Sequence, residues 1–300
     1  VTVASGVPRV FDRRRVRRRR DRSAQLNDPV SFLHEEVAAR VAERVLEVRR
    51  RYDRLLDLGA REGALGRSLP PGRIGTLVAC DLSSEWLARS GGTPRVVADE
   101  ELLPFAPHSF DAVIARMCLH WVNDLPGALA QLAGLLRPDG LLLAAFPGGE
   151  TLHELRGVLL RAELEIRGGG SPRVSPVVEL RDAAGLLQRV GLALPVADVD
   201  RITVTYSDPL RLLSDLRAMG ESGGLVAHGG PLRRDVLARA LELYRLEHGD
   251  THGRVPATFE IIFAAGWRPD ASQPRPRQRG SARIGLGEAL GRPATDRSDQ

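Results

Sequence analysis

The sequence contains no lysine, so all 43 of its Lys and Arg residues are arginine. That excludes a phosphate loop ending in Gly-Lys-Ser/Thr, and otherwise reads as the coding bias of a GC-rich source. It has only two cysteines, Cys80 and Cys118, each inside an apolar, strand-like run. This argues against a disulfide framework and a cysteine-based zinc site, and fits a reducing compartment. No apolar run reaches the ~18–20 residues that span a bilayer. The first residues also lack the apolar stretch of a secretory signal. A soluble chain is therefore expected, and no metal site.

Charge is plentiful but uneven. The net charge is +5, yet residues 1–22 hold nine arginines against two acids, and residues 271–300 hold six against three. Everything between is net acidic. A face for duplex DNA runs across a folded surface, so basic charge confined to the two ends leads us to expect no DNA partner. The stretch VFDRRRVRRRRDRSA is too charged for a core and reads as an exposed helix, a docking arm that packs on the acidic body or steers a partner rather than part of a site.

Between the ends, hydrophobic periodicity alternates. A helix is predicted at about Val30–Val48, with Phe32, Leu33, Val37, Val41, Val45 and Leu46 on one apolar side. YDRLLDLG, TLVACDLS, PRVVAD, SFDAVIARM and LLLAAFPG read as five strands. Between them lie SSEWLARS, opened by serine caps, and DLPGALAQLAGLLRP, with proline in its first turn. Such alternation with short loops implies a parallel sheet with helices on both faces. After Gly149 the pattern changes to helices at Thr151–Arg167, Asp208–Gly220 and Pro231–Gly249, with LRDAAGLLQRVGL, RITVTY and ATFEIIFAAGW among them. The layout is a basic arm over 1–29, an α/β core over 30–149, a helical cap with the last strands over 150–270, and a basic tail, extended or disordered, over 271–300.

In an open parallel sheet, ligands bind beyond the carboxyl ends of the strands. Three acids stand there in order: Asp57 with the loop Gly59–Gly63, Asp81, and Asp99. Asp81 lies where an acid accepts hydrogen bonds from adenosine ribose hydroxyls, and Asp99 is placed to receive the adenine amino group. The loop Gly59-Ala60-Arg61-Glu62-Gly63 fails the dinucleotide pattern, which needs closely spaced glycines to approach a pyrophosphate. S-adenosylmethionine has no phosphate, so Gly59 and Gly63 give clearance enough. Arg61, turned outwards, is a solvated side chain; turned inwards, it pairs with the methionine carboxylate. Phe105, Phe110 and Trp121 either wall an adenine site or pack the core. His120, beyond the fourth strand, is a candidate base or a loop anchor.

DLG, DEELLPF, SFD, LHWVNDLP and RPDG resemble class I S-adenosylmethionine-dependent methyltransferases. FDR near the start, LHWVNDLPGAL, GGETLHELR, LRAMGES, VPATFEIIFAAGW and GSARIG more specifically resemble the complex I assembly-factor family of methyltransferase-fold arginine hydroxylases and its bacterial relatives. The resemblance implies a Rossmann-like sheet with an inserted helical cap. It also implies S-adenosylmethionine as cofactor, held by Asp57, Gly59, Gly63, Asp81 and Asp99, with the departure at Ala60-Arg61, where the pattern has a small residue and then glycine. It implies an iron–sulfur subunit of NADH–quinone oxidoreductase as protein substrate. The place it implies is bacterial cytoplasm, including the inner-membrane surface, or the mitochondrial matrix. Glu221 is a candidate carboxylate for a substrate guanidinium, solvent exposure being its ordinary alternative. A malonyl-carrier O-methyltransferase and a non-catalytic assembly chaperone are the competing readings.

Overall fold

The computed structural model describes residues 6, 8–26, 30–227 and 229–274. Val1–Pro269 make one compact unit and Asp270–Gln300 a second. Most of the basic tail, with GSARIG, lies outside the described residues, as do residues 1–5 of the arm.

Two helices precede the sheet: α1 (Arg13–Ala24) and α2 (Phe32–Glu47). Alternation then follows the prediction, through β1 (Tyr52–Leu58), α3 (Ala64–Ser68), β2 (Ile74–Asp81), α4 (Ser84–Arg89), β3 (Arg95–Val97), β4 (Phe110–Arg116), α5 (Leu125–Leu135) and β5 (Leu136–Pro147). Helices α4 and α5 start as their sequences direct. Ser83 accepts from the Trp86 amide, and Asp124 from Gly127 ahead of a first-turn proline. After β5 come α6 (His153–Arg167), α7 (Leu180–Arg189), β6 (Ala193–Tyr206), α8 (Pro209–Ala218), α9 (Arg234–His248) and β7 (Val255–Trp267).

The seven strands run in the order β3-β2-β1-β4-β5-β7-β6. The first five pair in parallel, as expected, while β7 runs antiparallel to both β5 and β6. The reversal places RITVTY at the edge and ATFEIIFAAGW inside. Inner strands bury both faces, so they read as near-continuous apolar runs. Ala112, Ile114, Leu141, Leu143, Phe259 and Phe263 pack one way, under α2, α6, α8 and α9. Val113, Ala115, Leu142, Ala144 and Ile262 pack the other way, under α5 and α7.

The arginine-rich segment packs on the body, one of its two expected placements, but it is not the fully exposed helix its charge suggests. Helix α1 buries Val16, Arg20, Ser23 and Ala24, and Phe11 and Val16 pack with Leu82, Trp121 and Leu225. It lies over the strand ends rather than in solvent. Its buried residues recur at three- and four-residue spacing, which is one helical face.

Candidate active site

The loop after β1 is the sharpest turn of the site. Gly59 and Gly63 adopt φ of 76° and 79°, the left-handed region open to glycine. A Cβ on Gly59 would stand 2.3 Å from the Arg116 carbonyl oxygen, so that position needs glycine for space as well. The Gly59 and Ala60 amides donate back to the Cys80 carbonyl.

Asp57 sits beneath this loop, wholly buried, and does not face a ligand. Its two oxygens accept from Arg116 Nε at 2.8 Å and Nη2 at 3.1 Å, and Nη2 also donates to the Ala60 carbonyl. Burial raises the Asp57 pKa, and the Arg116 charge offsets part of that rise. The pair joins β1 to β4 and braces the loop from below.

Asp81 and Asp99 are at their strand ends, but arginines engage them. Asp81 accepts from the Arg61 and Ser83 amides, with Arg20 Nη1 3.6 Å away. Arg13 donates to both oxygens of Asp99 and to the Trp121 carbonyl. Glu100, fully buried, accepts from Arg13 and, at 2.8 Å, from Arg20.

Arg61 points inwards, correcting the outward reading. It is 3% exposed, its backbone has φ 47°, and its guanidinium lies 3.9 Å over the Trp86 ring. Such stacking suits a desolvated guanidinium. Nη1 donates to the Met219 carbonyl at 2.9 Å and lies 3.0 Å from His34 Nε2. Burial pulls its pKa down to about 10.

Glu221 is not solvent-facing. Its Oε2 accepts from His120 Nε2 at 2.9 Å and Trp121 Nε1 at 2.7 Å, and Oε1 lies 3.1 Å from His34 Nε2. Burial opposes its ionisation, but the His120 and His34 contacts outweigh that and hold the carboxyl well below its usual range. Burial, with Arg61 beside it, pulls the His34 imidazole down to about 4. His34 Nε2 faces both Glu221 Oε1, which only accepts, and Arg61 Nη1, which only donates, so the neutral ring satisfies one of the two at a time. Its Nδ1 has no hydrogen-bond partner among the described residues. Glu221 and His120 line a cavity of about 80 Å³ with Met117, Leu152, Leu216 and Phe259.

The structure thus gathers His120 and Glu221 into one cluster, and Asp81 and Asp99 into another. Phe110 is core, with Phe105 packed edge-on against it, whereas Trp121 belongs to the site. Sequence reasoning missed Arg13, Arg20, His34, Glu100 and Arg116. The available signals were Arg13 and Arg20 flanking Val16 on one helical face, and an arginine closing the apolar run of β4. Among the described residues no three His, Cys, Asp or Glu side chains form a metal-ligand set.

S-adenosylmethionine asks for free acids at the ends of β2 and β3 and open space over the glycine loop. The acids are present, but Arg13 and Arg20 stand on them and Arg61 fills the space beside the loop. In this conformation the residues do not fit the cofactor.

The strand order with its reversed β7, and acids closing successive strands, define a class I methyltransferase fold. Residues 56–144 match the methyltransferase domain family. The chain belongs to the family of the mitochondrial arginine-hydroxylase NDUFAF5. It is 39% identical to that protein of Danio rerio over 93% of this chain and 89% of the relative, and 40% identical to that of Homo sapiens over 93% and 83%. It is also 36% identical to a malonyl-[acyl-carrier protein] O-methyltransferase of Halorhodospira halophila, over 91% of this chain and 94% of the relative. In fold it is similar to the YcgJ protein of Bacillus subtilis, with a TM-score of 0.56 at 14% identity, over 79% of this chain and all of that one. Among the described residues no helix is long and apolar enough to cross a membrane.

Proposed function

We propose that this protein is an enzyme that hydroxylates an arginine side chain on an iron–sulfur subunit of NADH–quinone oxidoreductase. The observation that carries the reading is Glu221, a buried ionised carboxylate at the wall of a small, mostly apolar cavity beyond the ends of β4 and β5. Oε2 already accepts from His120 and Trp121 and Oε1 faces His34, which leaves one acceptor position on Oε1 for a single charge-assisted bond from a substrate guanidinium N–H. His120, Trp121 and His34 hold that carboxylate in place, which favours a fixed substrate geometry. The names of the 39–40% identical relatives point to the same residue type. S-adenosylmethionine, with Asp81 and Asp99 as its adenosine acids and Gly59 and Gly63 as its loop, is the cofactor of this reading. Asp57 serves it by bracing the loop.

The reaction needs dioxygen and a two-electron reductant, one oxygen atom entering the arginine C–H bond and the other leaving as water. The test is to incubate the purified protein in air with the subunit, S-adenosylmethionine and a reductant, then read tryptic masses. One added oxygen on an arginine is the expected result. Glu221→Gln should lower that modification at least tenfold while leaving the fold intact by circular dichroism. A methyl group on the arginine instead would make the protein a methyltransferase. Methylation of a malonyl-carrier thioester, with the subunit untouched, would favour the second reading, which the 36% identical relative supports.

A further inference from the structure

We propose that α1 is an internal occupant of the cofactor cleft, and that S-adenosylmethionine enters only when this helix withdraws Arg13 and Arg20 from Asp81, Asp99 and Glu100. The inference rests on reading those strand ends as a cofactor cleft. Arg20 is 3% exposed although it belongs to the most basic stretch of the chain. Burying a guanidinium is costly unless good partners repay it. Glu100 and Asp81 do so, and both are themselves buried. The compensation is incomplete, because Arg20 Nη2 is buried with no hydrogen-bond partner among the described residues.

The helix that carries these groups is also weak on its own. Arg14, Arg18 and Arg22 are exposed at four-residue spacing, and like charges so placed repel. What holds α1 is its docking. Asn123 accepts from the Val10 and Phe11 amides, Phe11 packs edge-on against Trp121, and Trp86 donates to Ser23. An adenosine placed on Asp81 and Asp99 needs the same carboxylate oxygens as Arg13 and Arg20. Helix and cofactor therefore compete.

A lid closing over bound cofactor would also bring α1 to this place, and the two arrangements predict opposite responses. Limited trypsin digestion of the full chain reads them directly, since Arg14, Arg17, Arg18 and Arg22 are cleavage sites on α1. S-adenosylhomocysteine should accelerate cleavage there; slower cleavage would overturn the proposal. This arm uses the native chain, so a variant that fails to fold does not decide the matter. By calorimetry, Arg13→Ala/Arg20→Ala should bind S-adenosylhomocysteine at least tenfold more tightly than the native chain, with Arg20→Met, which keeps the packed volume, intermediate. Measurable but unchanged affinity would overturn self-occupancy alone and leave the cofactor reading standing. Undetectable binding in folded Arg13→Ala/Arg20→Ala and in folded Arg61→Gly would overturn both.

Discussion

Asp57 illustrates how a residue is found for one reason and works for another. Its place after an apolar run marks it as a ligand-facing acid, but its oxygens are spent on Arg116. An arginine at the end of a buried strand must find a carboxylate, and here the partner is one strand over. Removing the acid leaves a buried, unpaired charge, so Asp57→Ala should cost about 3–5 kcal/mol of stability. Urea denaturation measures it, and a loss under about 1 kcal/mol would show that the pair does not brace the loop. Arg61 shows the converse. A charged side chain in place of a loop glycine reads as solvated, and only the positions of Trp86, His34 and Met219 turn it inwards.

Elements were legible where periodicity is strong. The three cap helices lie within their predicted spans, because each pairs an apolar stripe with proline or glycine punctuation. Their docking was not legible. Helix α9 is held on β7 partly through Tyr244, whose hydroxyl donates to the Pro256 carbonyl at 2.7 Å. Tyr244→Phe should lower stability by about 1 kcal/mol, since one buried hydrogen bond is lost and the ring is kept; an unchanged urea midpoint would refute the assignment. Strand direction was equally hidden in β7, whose apolar alternation is the same whichever way it runs. Helix α1 was misjudged because mean charge was weighed above the face formed by Arg13, Val16 and Arg20.

Acid sensitivity belongs to the whole molecule, because the His34–Glu221–His120 cluster ties α2, the turn after β4 and the cap together. Unfolded, His34 takes up its proton near its ordinary 6.5; folded, it does so only at about 4. Between those values the unfolded state binds more protons, so stability falls as pH drops from about 6.5 to about 4, by up to ~3 kcal/mol. Glu221, held low, loses its contribution below the usual carboxylate range, in the same direction. Asp57, raised by burial, works the other way, its stabilisation being present at low pH and lost as pH rises. Melting temperature across pH 4–7 should decline towards acid, and His34→Gln should flatten the decline. An equally steep profile in that variant would remove His34 as its cause.

What the sequence by itself determined was the order of elements, the sheet with helices on both faces, the acids at the strand ends and the likeness to a methyltransferase-fold arginine-hydroxylase family. All of these follow from local pattern, which periodicity, capping residues and short motifs encode directly. Only the tertiary structure decided which charges meet. Arg116 reaches Asp57 on the neighbouring strand, Arg20 reaches Glu100 and Asp81 from a helix some sixty to eighty residues earlier in the chain, and Glu221 lies between two histidines, one from α2 and one from the turn after β4. A buried charge is stabilised by whichever opposite charge the fold brings within a few ångströms, and sequence distance carries no information about that.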